Sequence, residues 1–205
     1  VRNIAQGAAL MTGTECEIEI DKACSDYSPN RKMEEIMYHY LKEEESEIVY
    51  SENELNFAEN IWQSLTQAEK DNAQNMLQSF GVISDSNKLD HQRLSRIVND
   101  YVISDKPMLG STDVADVSWV APTAQCTCTT EAMGTPLHTW QMVSQGTSTY
   151  AFKGMFRAAR IMANTALHIL KDENLLKSIQ KEHKEKLEKH PYKNPIPDHV
   201  QPSTL

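Results

Sequence analysis

Three side chains within one stretch could do chemistry together: Asp113, Asp116 and His138. They fall in Met108–Gln141, MLGSTDVADVSWVAPTAQCTCTTEAMGTPLHTWQ. An imidazole and two carboxylates suit a hard or borderline divalent metal such as zinc or manganese. The donor set is sparse, since no HExxH motif and no histidine pair at ligand spacing accompanies it. Ordinary surface loops with helix-capping aspartates account for the same residues. Ser111 lies outside a GxSxG elbow, so serine hydrolysis has little support. Gly110-Ser111-Thr112 lacks the glycine run and lysine of a phosphate loop. Cys126-Thr-Cys128 has one residue between its cysteines, where zinc ribbons and redox motifs have two. On a strand these thiols would share a face, and buried free cysteines are the simpler reading.

The elements that must position these groups can be read from periodicity. Turn residues opening at Gly110 and closing at Gly134 and Pro136 alternate with β-formers. Residues 117–120 and 124–129 therefore read as strands whose end loops converge on a site. Upstream, residues 1–12 form a helix candidate stopped by Gly13, and Cys16–Ile20 alternates apolar and acidic residues as a half-buried strand does. Asn30 can cap a helix over roughly 31–44. Ser51 and Glu54 match a capping box, with Tyr50 and Leu55 as its hydrophobic staple. Thr66 and Glu69 offer a second box, for a helix continuing to about residue 80. Residues 81–91 are turn-rich, the period of 91–102 is ambiguous, and Lys106-Pro107 is a break. Thr147–Leu170 is the longest helix, with Met155, Ala159, Met162, Ala166 and Ile169 at helical spacing. Asn174–Lys189 is a charged amphipathic helix with a solvated face, and the proline-bearing tail cannot extend it.

Composition narrows the function classes. A chain of 205 residues can bury one good core. A net charge of −9 argues against nucleic-acid and anionic-membrane partners. No run of 18 apolar residues offers a membrane span, and no signal-peptide pattern opens the sequence, so a cytoplasmic location is expected. Four cysteines in a chain this long do not make a disulfide framework.

The motifs GSTDVADVSWVAPTAQC and GTPLHTWQ, with RNIAQGAALMTGT near the start and PIP in the tail, carry a family resemblance. They resemble the co-catalytic metallopeptidase superfamily of aminoacylases, carboxypeptidases and amidohydrolases, most nearly its aminobenzoyl-glutamate-hydrolase-like branch. The resemblance implies an α/β fold: the C-terminal part of a zinc-peptidase-like catalytic domain, with a mixed sheet and flanking helices. Residues 1–22 would be the last helix and strand of an inserted lid, or dimerisation, domain, and residues 23–205 the returning part of the catalytic domain.

His138 matches the family's metal-ligand histidine. Ser111, Thr112, Asp113 and Asp116 match a substrate-side loop and are expected to shape the site without ligating. Leu137 and Thr139 stand where glycine and serine are common in the branch. The family's bridging aspartate, general-base glutamate and remaining ligands match nothing in this sequence, so no catalytic residue is expected here. The implied function is part of a two-metal (Zn or Mn) amidohydrolase. It would cleave an N-acyl or N-aroyl amino acid, with aminobenzoyl-glutamate favoured, and would dimerise through the lid. Residues 1–205 alone are expected to be inactive. The competing expectation is a non-catalytic interaction or structural protein built on the same scaffold.

Overall fold

A computed structural model describes residues 1–79, 93–103 and 110–201. The turn-rich reading of 81–91 lies outside the described residues, and so does the break at Lys106-Pro107. The elements are α1 (Arg2–Thr12), α2 (Arg31–Glu43), a 3₁₀ turn (Glu44–Glu47), α3 (Glu52–Gln63), α4 (Gln67–Ser79), α5 (Val114–Val120), α6 (Trp140–Gln145), α7 (Thr149–Lys171) and α8 (Glu173–Lys189).

Local chemistry sets most of these ends. The Asn30 side chain accepts the Met33 amide at 3.1 Å and starts α2. Ser51 and Glu54 form the expected reciprocal capping box of α3. Thr66 and Glu69 form the second box, the Thr66 amide donating to Glu69 at 2.7 Å. Tyr50 belongs to the core, and Leu55 packs on the same cluster, as a staple requires. Ser148 caps α7, and Asp172 caps α8 through the amides of Asn174 and Leu175. Gly13, left-handed at φ 65°, ends α1.

The core gathers Ile48, Tyr50, Ala58, Ile61, Leu94, Ala132, Tyr150 and Ala151 between α3, α7 and the intervening loops. Helix α7 packs along α2, and α8 packs on both. Glu54, only 5% exposed, joins the N-termini of α3 and α7. Its carboxylate accepts from the Ser51 amide at 2.6 Å, the Thr149 hydroxyl at 2.7 Å and the Lys153 ammonium at 2.6 Å. Burial would raise its pKa, but the Lys153, Thr149 and Ser51 donors outweigh that and hold it at about 2. At Gly154, α7 runs so close to the segment before Glu131 that a Cβ would lie 2.1 Å from the Thr129 carbonyl oxygen.

The strand expected over 117–120 is instead helical, inside α5. Its sequence is β-branched, but burial follows a helical interval: Ala115 and Ser118 are 2% and 0% exposed while Val117 and Val120 face out. Ser118 Oγ donates to the Ala115 carbonyl at 2.5 Å and accepts the Ser28 amide at 2.8 Å. Packing of one small polar face overrides β propensity here.

The other two strand candidates, Cys16–Ile20 and 124–129, form no regular secondary structure and have no ladder partner among the described residues. Segment 94–98, which begins in a bend, hangs on side chains. Val98 donates its amide to Glu45 at 2.8 Å and accepts Lys42 at 2.6 Å, and the Tyr50 hydroxyl donates to the Ser95 carbonyl at 3.2 Å. Helix α1 buries none of its residues, and Ile4, Leu10 and Met11 are exposed.

Candidate functional site

Two loops hold the residues singled out by the sequence. The first runs into α5. Ser111, Thr112 and Asp113 are exposed there, and Thr112 accepts the Ala115 amide on its carbonyl at 3.0 Å. Asp113 stands at the helix N-terminus without a side-chain capping bond, so its carboxylate is open to solvent. Asp116 is differently placed. It accepts the Ser25 hydroxyl at 2.7 Å, the Ser25 amide at 3.2 Å and the Tyr192 hydroxyl at 3.0 Å. The Ser25 hydroxyl is the main cause that holds its pKa below the ordinary carboxylate value. Trp119, one turn on, donates its indole N–H to the Asp26 carbonyl at 2.7 Å and stacks on Tyr192. Asp116 and Trp119 thus clamp α5 between the 25–26 segment and the C-terminal tail.

The second loop spans Ala132–Thr139 and carries His138. Gln145, 1% exposed at the end of α6, fastens it from beneath. Its Oε1 accepts the Ala132 amide at 2.6 Å and the Tyr150 hydroxyl at 2.7 Å. Its Nε2 donates to Thr135 Oγ1 at 3.1 Å and to the Gln141 carbonyl at 2.9 Å. Burial pushes the Tyr150 phenol up to about 12, so it stays a donor. Gly134, at φ 81°, lies against Trp62, where a Cβ would come within 2.8 Å of the indole. Thr139 donates to the Pro136 carbonyl at 2.7 Å and caps α6 through the Met142 amide at 3.3 Å.

His138 stands between these anchors with φ 62°, the left-handed region, and is the sole non-glycine residue with positive φ among those described. That conformation costs a non-glycine residue about 1–2 kcal/mol. The fixed flanks on both sides hold it there, with the imidazole exposed and free of hydrogen bonds to the described residues.

No hydrogen bond links His138 to Asp113 or Asp116, and among the described residues no group of three or more His, Cys, Asp or Glu side chains could hold a metal.

Beside the His138 loop lies a cavity of about 780 Å³. Leu137, Pro136 and Gly134 form one wall, and Ile97, Val98 and Ile48 another. Cys128 also reaches this cavity. Cys126 and Cys128 are both half-buried and free. The Cys128 thiol lowers Cys126 to about 7, while Cys128 is pushed up. These cysteines are free, as expected, but only half-buried where burial was expected.

Gln145, the part Glu54 plays in joining α3 to α7, and the buried Arg157 escaped the sequence reading. Gln141 and Gln145 are four residues apart on a six-residue helix, and nothing in their type marks them as inward-facing.

Comparison with known proteins supplies what the geometry alone does not. Over its whole length the chain is 44% identical to one of the subunits of the p-aminobenzoyl-glutamate hydrolase of Escherichia coli (strain K12). The two chains are homologous. The chain spans 43% of the length of that relative. The resemblance drawn from GSTDVADVSWVAPTAQC and GTPLHTWQ is therefore borne out across the sequence and not only at the motifs. No family model matches the chain. No solved structure matches it either.

Proposed function

We propose that this chain is the C-terminal part of a metal-dependent amidohydrolase acting on N-acyl or N-aroyl amino acids, p-aminobenzoyl-glutamate among them. The observation that carries this reading is the 44% identity, along the whole chain, to a protein named for hydrolysing that compound. In the proposal, His138 supplies one metal ligand, and the other donors and the general base belong to the part of the relative's length that this chain does not span. The donor chemistry fits: an exposed imidazole, fixed by its neighbours and engaged by none of the described residues, is ready to give a lone pair to zinc or manganese. When bound, a metal pair would polarise the scissile carbonyl and lower the pKa of a water.

This chain's own residues have supporting roles. Gln145 and Thr139 hold the His138 loop in register, and Gly134 lets that loop close on Trp62. Asp116 holds the start of α5, so that Ser111, Thr112 and Asp113 are presented at its N-terminus. Asp113 is free to accept a hydrogen bond from substrate.

The same reading assigns residues 1–22 to the end of a lid domain and residues 23–205 to a zinc-peptidase-like α/β domain. Support comes from what the chain leaves open. Cys16–Ile20 and 124–129 have no ladder partners among the described residues, and α1 exposes its apolar face. Such edges and faces ask for pairing. We place them in a mixed sheet and in a lid-to-lid homodimer of the longer protein. The relative's name makes it one subunit of a hydrolase, so a second kind of subunit is the alternative partner.

The test is hydrolysis of p-aminobenzoyl-glutamate by a protein of the relative's full length. Release of p-aminobenzoate should depend on zinc or manganese and stop with chelator, while residues 1–205 alone should show no turnover. Absence of turnover in the longer protein across N-acyl and N-aroyl amino acids would favour the interaction-protein reading instead.

A further inference from the structure

Arg157 lies on the inward face of α7 and is 5% exposed. Its Nε has no hydrogen-bond partner among the described residues. The nearest carboxylate, Glu44, is 4.0 Å from that nitrogen and is already engaged by the fork of Arg160, whose Nε donates to it at 2.9 Å. One carboxylate therefore faces two guanidiniums, and Arg157 shares its counter-charge with Arg160. An arginine cannot escape by losing its proton. A buried charge is normally paired, because desolvating it alone is costly.

Arg157 lines the cavity of about 780 Å³ beside the His138 loop. The space has the size of a small-molecule site. Ser95, Thr127 and Thr129 bring hydroxyls to it, and Ile97, Met133 and Leu137 bring apolar wall. The two acids on its wall are engaged with neighbours: Glu69 accepts from the Thr66 amide and hydroxyl, and Glu131 accepts the Thr130 hydroxyl.

We propose that this cavity binds the carboxylate of a small organic acid through Arg157, with the acid's apolar part against Ile97, Met133 and Leu137. The planar guanidinium suits a carboxylate in two-point contact, and the apolar wall favours an arylalkyl acid over an inorganic anion. The inference needs no hydrolytic step and stands apart from the role of His138.

The experiment uses the longer protein of which this chain is a part, titrated by calorimetry with 3-phenylpropionate and with its uncharged match, 3-phenylpropionamide. Neither is a substrate for N-acyl amino acid hydrolysis, so a failed hydrolase reading leaves the result legible. Saturable binding of the acid is expected, with the amide weaker by roughly 10- to 100-fold, as for loss of a charged hydrogen bond. Arg157→Met should reduce acid binding by about the same factor and leave amide binding unchanged, while Arg157→Lys should keep part of it.

The variant's own stability separates this role from a structural one. Because Arg160 still holds Glu44 when Arg157 is replaced, the ligand-free melting temperature should change little, whereas loss of a sole structural ion pair lowers it. If Arg157→Met does not fold, the Nε–H resonance of Arg157 in the unsubstituted protein gives the answer, since it should shift saturably with the acid. Equal affinity for acid and amide, undiminished acid binding in Arg157→Met, or an Nε–H signal indifferent to the acid would overturn the proposal.

Discussion

Replacing Glu54 by glutamine should remove a pH-dependent share of stability that can be worked out from its surroundings. Its carboxylate is 5% exposed and takes hydrogen bonds from Ser51, Thr149 and Lys153. Burial pushes its pKa up, the three donors prevail, and the result falls from the ordinary 4.5 to about 2. A fall of that size corresponds to about 3 kcal/mol favouring the folded state. The ammonium of Lys153 is 42% exposed, so solvent screening brings the expected effect nearer about 2 kcal/mol. The folded pKa lies below the unfolded one, so the contribution is complete above about pH 4.5 and disappears as pH falls towards 2.

Urea unfolding at pH 7 should therefore place the midpoint of Glu54→Gln about 1 M below that of the unsubstituted protein, for a slope of roughly 2 kcal/mol per molar. By about pH 3 more than half of the difference should be gone. Equal midpoints at pH 7, or a difference that stays constant down to pH 3, would refute the claim that ionised Glu54 joins α3 to α7.

Further outcomes follow from the same packing. Gly154→Ala places a Cβ where the Thr129 carbonyl stands, and thermal unfolding should register a loss of at least about 1–3 kcal/mol, the usual cost of overpacking. Gln145→Leu leaves the Ala132 amide and the Tyr150 hydroxyl without their shared acceptor, and should cost about 2–4 kcal/mol with faster amide hydrogen exchange across Ala132–Thr139. His138→Gly removes the left-handed strain and should raise stability by about 1 kcal/mol while abolishing any function of the imidazole. A loss of stability in that variant would show that His138 makes contacts the fold depends on.

Helix ends were legible because their signals are local. Asn30, the Ser51–Glu54 box and the Thr66–Glu69 box each satisfy amides within three residues along the chain. Residues 117–120 were misread because β-branched side chains outweighed the quieter evidence of Ala115 and Ser118, small residues three apart. Their burial depends on Ser28, 90 residues away. The same limit hid Gln145 and Arg157, whose meaning lies in contacts across the chain and not in residue type. His138 was legible through GTPLHTWQ, but its backbone strain was not, since the left-handed turn arises from anchors on both flanks. Asp116 was expected to shape a site; in the structure it fixes α5 to Ser25 and Tyr192.

In the proposed function, His138 gives a metal ligand to an amide hydrolase. The most direct measurement is metal content and p-aminobenzoyl-glutamate turnover in His138→Ala of the full-length protein, beside the unsubstituted protein, after dialysis against a fixed free zinc or manganese concentration. Loss of a ligand should weaken metal binding by at least about 100-fold, since outer-shell changes alone cost about 10- to 100-fold, and turnover should fall with it. Undiminished metal content together with undiminished turnover would contradict the claim.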